Sequence, residues 1–290
     1  TFSFYQNSDA DWVIFGNTFA GAEQLNKKTA LMQHGIGPKQ CYYDVSHNKT
    51  TVRFVEGEHR LQRLQALYPD GNFVDSGYAK LDPIFNQTMS HIDLSRLGLD
   101  PSKKTLLYAP TFYPSSIECM SDSFPAHCEK FNIIIKPHFF SLFKQKYKKQ
   151  RTKLQRWSEF KNVYVANEHD FDLTPFLAVA DIMVSDASSA IFEFAALEKP
   201  VVWCDFYKLR WSYRGIFSFR LKSRLDEDIK YFNKLCSRAG DYNELQTILN
   251  SDFCETAEFK ESRKHIINKL AGKTDGRSAK RIVSYLEEHK

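Results

Sequence analysis

Four clusters of polar residues in this 290-residue chain stand where short apolar runs end, and each carries groups able to bind an anion or move a proton. His34 follows the run TALMQ (29–33) within HGIGPK (34–39), where Gly35 and Gly37 let the backbone turn sharply and approach a ligand closely. Imidazole takes up a proton near neutral pH, so His34 is a candidate general base, with a structural histidine as the alternative. Thr111 follows TLLYA (105–109), and Lys136 and His138 follow Ile133, Ile134 and Ile135. Ser185, Asp186, Ser188 and Ser189 follow Ile182, Met183 and Val184 in IMVSDASSAIFEFAALEKPVVWCD (182–205).

Such residues need a strand, a tight turn and a helix to bring them together. The uncharged run at 182–184 reads as a strand buried on both faces. Asp186 suits an N-cap, and Ala190, Ile191, Phe194, Ala195 and Leu197 recur at helical spacing, so a helix is expected from Ala187 until Glu198, Lys199 and Pro200 stop it. Val201, Val202 and Trp203 begin the next strand. A helix that starts directly after a parallel strand turns its N–H groups and the positive end of its dipole toward the carboxyl edge of the sheet. Hydroxyls of Ser188 and Ser189 in the first turn would complete a seat for a phosphate or diphosphate. The competing reading is that these residues only cap the helix.

The same alternation runs along the whole chain. Strands are expected at 12–15, 29–33, 52–55, 72–75, 105–109, 133–135 and 163–165, and helices at 58–67, 171–179, 225–235, 241–249 and 278–288. Residues 113–127 read as a surface loop, and 206–219 has no readable pattern. The stretch SRLGLDPSKK (95–104) marks a boundary between two Rossmann-like domains, 1–98 and 99–290. Two such halves facing each other across a cleft would gather the four clusters into one site. GxxxxGK[ST] and GxGxxG are absent, which disfavours a P-loop kinase and a dinucleotide oxidoreductase.

Composition is that of a globular protein, with 42% hydrophobic and 26% charged residues. No run approaches the roughly 20 apolar residues of a membrane-spanning helix, and the first residues lack signal-peptide features, so a cytoplasmic location is expected. The chain opens at Thr1 without a methionine, as a fragment of a longer protein would. Six scattered cysteines without a CxxC pair favour free thiols and no metal site. The net charge of +5 is concentrated in Lys144, Lys146, Lys148, Lys149, Arg151, Lys153 and Arg156. That run reads as a solvated helix face or as a peripheral contact with anionic lipid or polymer. Nucleic acid is not an expected partner, because no recognition signature accompanies it.

HGIGPK (34–39), GYAKLDP (77–83), LLYAPTF (106–112), KPH (136–138) and SDASSAIFEFAALEKPVV (185–202) together resemble the CDP-glycerol glycerophosphotransferase family, whose members prime and polymerise teichoic acids and related capsules. The motifs keep the family's order, and the SD-x-SS-x-x-F-[DE]-F-A stretch is the most specific. The resemblance implies a GT-B architecture in which the second domain holds the nucleotide donor and the last helix packs back on the first. It further implies metal-independent transfer of glycerol phosphate from CDP-glycerol to a hydroxyl of a polymer or lipid-linked primer, with CMP released at the inner face of the cytoplasmic membrane and no cofactor. By the same resemblance His34 is the expected base and His138 the second catalytic histidine. Lys136, Thr111, Ser185, Asp186, Ser188 and Ser189 are expected around the donor phosphates, with Gly35, Lys39, Lys80 and Glu193 elsewhere in the cleft. Better-known members carry Gly-Tyr-Pro-Arg where this chain has Gly77, Tyr78, Ala79 and Lys80, so a lysine stands in for an arginine without its bidentate geometry. The alternatives are a GT-B glycosyltransferase or epimerase using a UDP-sugar, and an inactive remnant that binds polymer or membrane.

Overall fold

Short runs rich in Val, Ile and Leu become parallel strands throughout. The computed structural model describes residues 9–17, 21–32, 35–37, 39–210, 226–251 and 255–290. Among them lies a four-stranded sheet in the order β1-β2-β3-β4, with β1 at Trp12–Phe15, β2 at Lys28–Met32, β3 at Val52–Val55 and β4 at Phe73–Asp75. A six-stranded sheet has the order β10-β9-β8-β5-β6-β7. Its strands are β5 (Thr105–Ala109), β6 (Asn132–Ile135), β7 (Val163–Val165), β8 (Ile182–Ser185), β9 (Val201–Cys204) and β10 (Ser237–Ala239). All pairings are parallel. The principal helices are α1 (Gly57–Leu67), α2 (Phe139–Phe143), α3 (Lys148–Trp157), α4 (Thr174–Val179), α5 (Ser189–Ala195), α6 (Tyr242–Asn250), α7 (Ala257–Ala271) and α8 (Ser278–Glu288).

Each sheet is the centre of one compact unit. The first unit takes the described residues of Thr1–Thr88, Ser223–Asp228 and His265–Lys290, and the second those of Met89–Lys222 and Ile229–Lys264. The division at Thr88 and Met89 falls ahead of the expected 98/99. The linker belongs to the second unit because Asp100 N–H donates to Asn132 Oδ1 at 3.1 Å and Asn132 Nδ2 donates back to the Asp100 carbonyl at 2.6 Å, fixing it to the start of β6.

In the first unit α8 supplies part of the core. Ile282 packs with Ala30, Val52 and Phe54, Tyr285 meets the Phe54 ring edge-on at 5.4 Å, and Trp12 Nε1 donates to the Leu286 carbonyl at 3.0 Å. Gly77, with φ +78°, lies so close to the start of this helix that a Cβ would come within 2.6 Å of Ser278 Oγ. In the second unit Ile133, Ile134 and Ile135 are completely buried, each contributing roughly 1.5–3 kcal/mol.

Two further expectations change, and two elements appear that the sequence did not announce. Residues 113–127 form no surface loop: Ile117 and Phe124 are fully enclosed and Met120 nearly so, within the core that includes Trp157. At 225–235 only Phe232–Leu235 is α-helical, after a 3-10 turn at Glu227–Tyr231, while Leu225 lies outside the described residues. The 15-residue α7 and the edge strand β10 have no counterpart in the sequence reading.

Candidate functional site

β5 and β8 are neighbours, yet the chain runs from β5 outward through β6 and β7 on one side and from β8 through β9 and β10 on the other. Strand order therefore reverses between them, and at the carboxyl edge of such a reversal the connections diverge and leave a crevice. Ala109 pairs with Ser185, so Thr111 and Asp186 emerge from adjacent strands. Tyr108 pairs with Ile135, and Lys136 N–H continues the ladder to the Tyr108 carbonyl at 2.9 Å. The structure thus brings Thr111, Lys136, His138, Ser185, Asp186, Ser188 and Ser189 to one edge of the second sheet.

Their roles at that edge differ. Asp186 is not the N-cap of α5; Ser188 holds that position, in extended backbone at φ −144° and ψ 164°, and the helix starts at Ser189. The Asp186 carboxylate instead accepts N–H groups of Thr111 at 2.9 Å and Ser116 at 3.1 Å, which pins the segment after β5 to the end of β8. Burial raises its pKa to about 6 even though these hydrogen bonds favour the charged form. Ser185 Oγ donates its one proton to the Ala109 carbonyl at 2.7 Å, so across the 3.1 Å contact the Ser188 hydroxyl is the donor and Ser185 the acceptor. Ser188 makes no side-chain cap bond to α5. Glu193 lies on the same helix four residues beyond Ser189, hence on the same face, and is 1% exposed.

His138 caps α2, its Nδ1 accepting the Phe140 N–H at 3.1 Å. That bond requires an unprotonated Nδ1, so the neutral ring carries its proton on Nε2 as a hydrogen-bond donor. Phe112 and Phe140 flank the imidazole, with centroids at 4.5 and 5.0 Å. Lys136 is half-buried, and desolvation lowers its pKa against the opposing charges of Asp170 and Asp172. Sequence reasoning missed Ser116 and Phe112, whose roles depend on the packing of 113–127 and leave no local signature.

His34 lies outside the described residues. In the first unit Gly35 and Gly37 are buried, and Gly37 has φ +104°, a conformation that favours glycine. Lys39 N–H closes a turn on the Gly37 carbonyl at 3.0 Å, and its ammonium lies 5.6 Å from the Tyr42 ring centroid. Arg60, which the sequence reading passed over, donates to the same Gly37 carbonyl at 3.3 Å and to Glu56 at 2.9 Å. Lys80 lines a cavity of about 290 Å³ at the carboxyl ends of β2, β3 and β4, together with Met32, Glu56, Ser76 and Tyr78.

Comparison with known proteins gives this arrangement relatives. Teichoic acid poly(glycerol phosphate) polymerase of Bacillus spizizenii is 25% identical over 148 residues, 45% of this chain and 34% of the relative. The teichoic acid glycerol-phosphate primase of the same organism is 29% identical over 133 residues, 45% of this chain and 33% of the relative. The chain thus spans about a third of the length of these curated relatives. The solved structure of the wall teichoic acid polymerase TagF superposes with a TM-score of 0.64 at 15% identity, covering 96% of this chain and 72% of that one. At that identity the likeness establishes the fold, GT-B, an α/β architecture with parallel sheets. The model of one family, CDP-glycerol:poly(glycerophosphate) glycerophosphotransferase, matches residues 17–288. With nearly the whole chain matched and the motif residues of the second unit gathered where strand order reverses, the chain belongs to the CDP-glycerol:poly(glycerophosphate) glycerophosphotransferase family.

Proposed function

We propose that this chain is the catalytic portion of a transferase that moves glycerol phosphate, or a related polyol phosphate, from a CDP-activated donor to a hydroxyl of a teichoic-acid-type polymer or a lipid-linked primer. The observation that carries this reading is the meeting of Lys136, His138, Thr111 and the start of α5 at the reversal point of the second sheet. The acceptor oxygen attacks the distal phosphorus, a new P–O bond forms, and the bond to the bridging oxygen breaks with its electron pair leaving on CMP. Lys136 and the Nε2–H of His138 meet the charge that grows on the departing phosphate. The first-turn N–H groups of α5, with no side-chain cap from Ser188, add to this field. His34 is the proposed base for the acceptor proton, and the cavity beside Lys80 is the proposed acceptor side.

The basic run is the proposed contact with an anionic membrane, in narrower form than the sequence suggests. Lys153 and Arg156 pair with Asp122 at 3.3 and 3.0 Å, and Arg151 donates to the carbonyls of Leu142 and Lys144. Lys144, Lys146, Lys148 and Lys149 are exposed, beside Phe139 and Phe143 at 56% and 48% exposure. Ammonium groups beside an exposed aromatic pair suit a headgroup layer.

Thermal unfolding with CDP-glycerol, CDP-ribitol and UDP-N-acetylglucosamine tests the donor. A CDP-polyol should raise the Tm, less so in Lys136→Ala, and UDP-N-acetylglucosamine should not. Stabilisation by the UDP-sugar alone would replace this reading with the glycosyltransferase or epimerase alternative.

A further inference from the structure

β3 has the sequence VRFV, and its arginine is buried in the first unit. Arg53 is 2% exposed. One terminal nitrogen donates to the Tyr42 carbonyl at 2.6 Å, the other bonds Ser46 Oγ, and among the described residues the enclosed Nε has no hydrogen-bond partner. Among the described residues no carboxylate lies at ion-pair distance from Arg53; Glu56, whose field it feels, is held by Arg60 at 2.9 Å. Burial lowers the pKa of Arg53 to about 10, which leaves it charged at neutral pH. A buried cation that lacks a paired anion is costly, and an anion from solution is the natural means of offsetting that cost.

Arg53 lines a cavity of about 320 Å³. This cavity opens at the amino ends of β3 and β4, the opposite edge of the sheet from the one that holds Lys80. Lys49, Thr50, Tyr68, Asn72 and Phe73 line it with Arg53. The lining carries one carboxylate, Asp70, in an exposed turn where solvent screens it. The volume is at the lower end of the roughly 300–1,000 Å³ usual for small-molecule sites and exceeds what a lone ion needs. Tyr68 and Phe73 offer apolar surface for a carbon skeleton.

We propose that this cavity is a second ligand site of the chain, one that binds a phosphate ester of a small alcohol with the phosphate between Arg53 and Lys49. The phosphate site goes beyond the transferase reading, and only the choice of polyol esters rests on that reading. The phosphate could come from a free monoester or from a diester in a polyol-phosphate chain, and the probes separate these sources.

The test is calorimetric titration of the whole chain with glycerol 3-phosphate, glycerophosphoglycerol, inorganic phosphate and, as a neutral control, glycerol. Titrations are repeated in Lys136→Ala, so that occupancy of the second unit is told apart. At least one ester should bind more tightly than inorganic phosphate, glycerol should not bind, and Lys136→Ala should leave the ester's Kd unchanged. Tighter binding of glycerol 3-phosphate identifies a monoester site, and of glycerophosphoglycerol a diester site. Arg53→Gln should weaken binding roughly tenfold or more. Lys49→Gln, at an exposed position that folding does not need, should weaken it severalfold and carries the test if Arg53→Gln does not fold. Absence of ester binding, inorganic phosphate binding as tightly as the tighter of the two esters, or an affinity lost in Lys136→Ala and kept in Lys49→Gln would overturn the proposal.

Discussion

At the residue scale, two side chains do different work from what their types first suggest. Asp186 is fully enclosed and holds its proton to about pH 6, whereas an unfolded carboxyl releases it near pH 4. The folded state therefore binds more protons in that window, and stability falls as pH rises from about 4 to about 6, by up to about 3 kcal/mol from this group. Denaturant unfolding at a series of pH values should show this slope in the wild type and a flatter one in Asp186→Asn; equal slopes would refute the assignment. His138 both caps α2 through Nδ1 and carries a proton on Nε2. Asparagine can keep the cap but does not reach as the Nε2–H does. His138→Asn should retain stability while losing about 10²-fold or more in turnover, and His138→Ala should lose the activity and about 1 kcal/mol as well. Full turnover in His138→Asn would assign the imidazole a structural role alone.

At the scale of elements, the basic run divides by partner. Lys144 and Lys146 are on the exposed connection between α2 and α3, and each basic group near an anionic surface contributes about 1 kcal/mol. Lys144→Gln with Lys146→Gln should weaken binding to phosphatidylglycerol vesicles roughly 30-fold, and Phe139→Ser with Phe143→Ser should weaken it further, read by co-sedimentation. Binding unchanged in both pairs would remove the membrane contact. The strands were the most legible elements in the sequence, because β5, β6 and β8 are buried on both faces and read as uncharged runs. β10 was hidden because Ser237 and Arg238 are tolerable on an edge strand, where one side meets solvent. α7 was hidden because Arg263 stands among its buried residues, with its charge met by Glu255 at 2.6 Å, so its apolar pattern is broken by a tertiary ion pair. The candidate site was legible where strand ends declare it, as at Lys136 and Ser185. The anchoring of 111–116 by Asp186 was not, since it joins residues 70 or more positions apart.

For the whole molecule, sequence order and structural order are interleaved: α8 closes the chain but belongs to the first unit, whose strands open it. Removing 278–290 deletes Ile282, the Phe54–Tyr285 contact and the Trp12 hydrogen bond. Hydrogen exchange of the truncated chain should show protection lost in β1 to β4 and kept in β5 to β10; equal loss in both sheets would contradict the separate cores. In the proposed function, the reversal point of the second sheet holds the phosphates of a CDP-activated polyol and helps CMP depart. Mass-spectrometric detection of CMP from CDP-glycerol, with a glycerol phosphate oligomer as acceptor, tests it most directly. The wild type should release CMP in step with acceptor lengthening, and Lys136→Ala and His138→Asn should fall about 10²-fold or more while remaining folded. CMP release that both variants sustain at the wild-type rate would contradict the account.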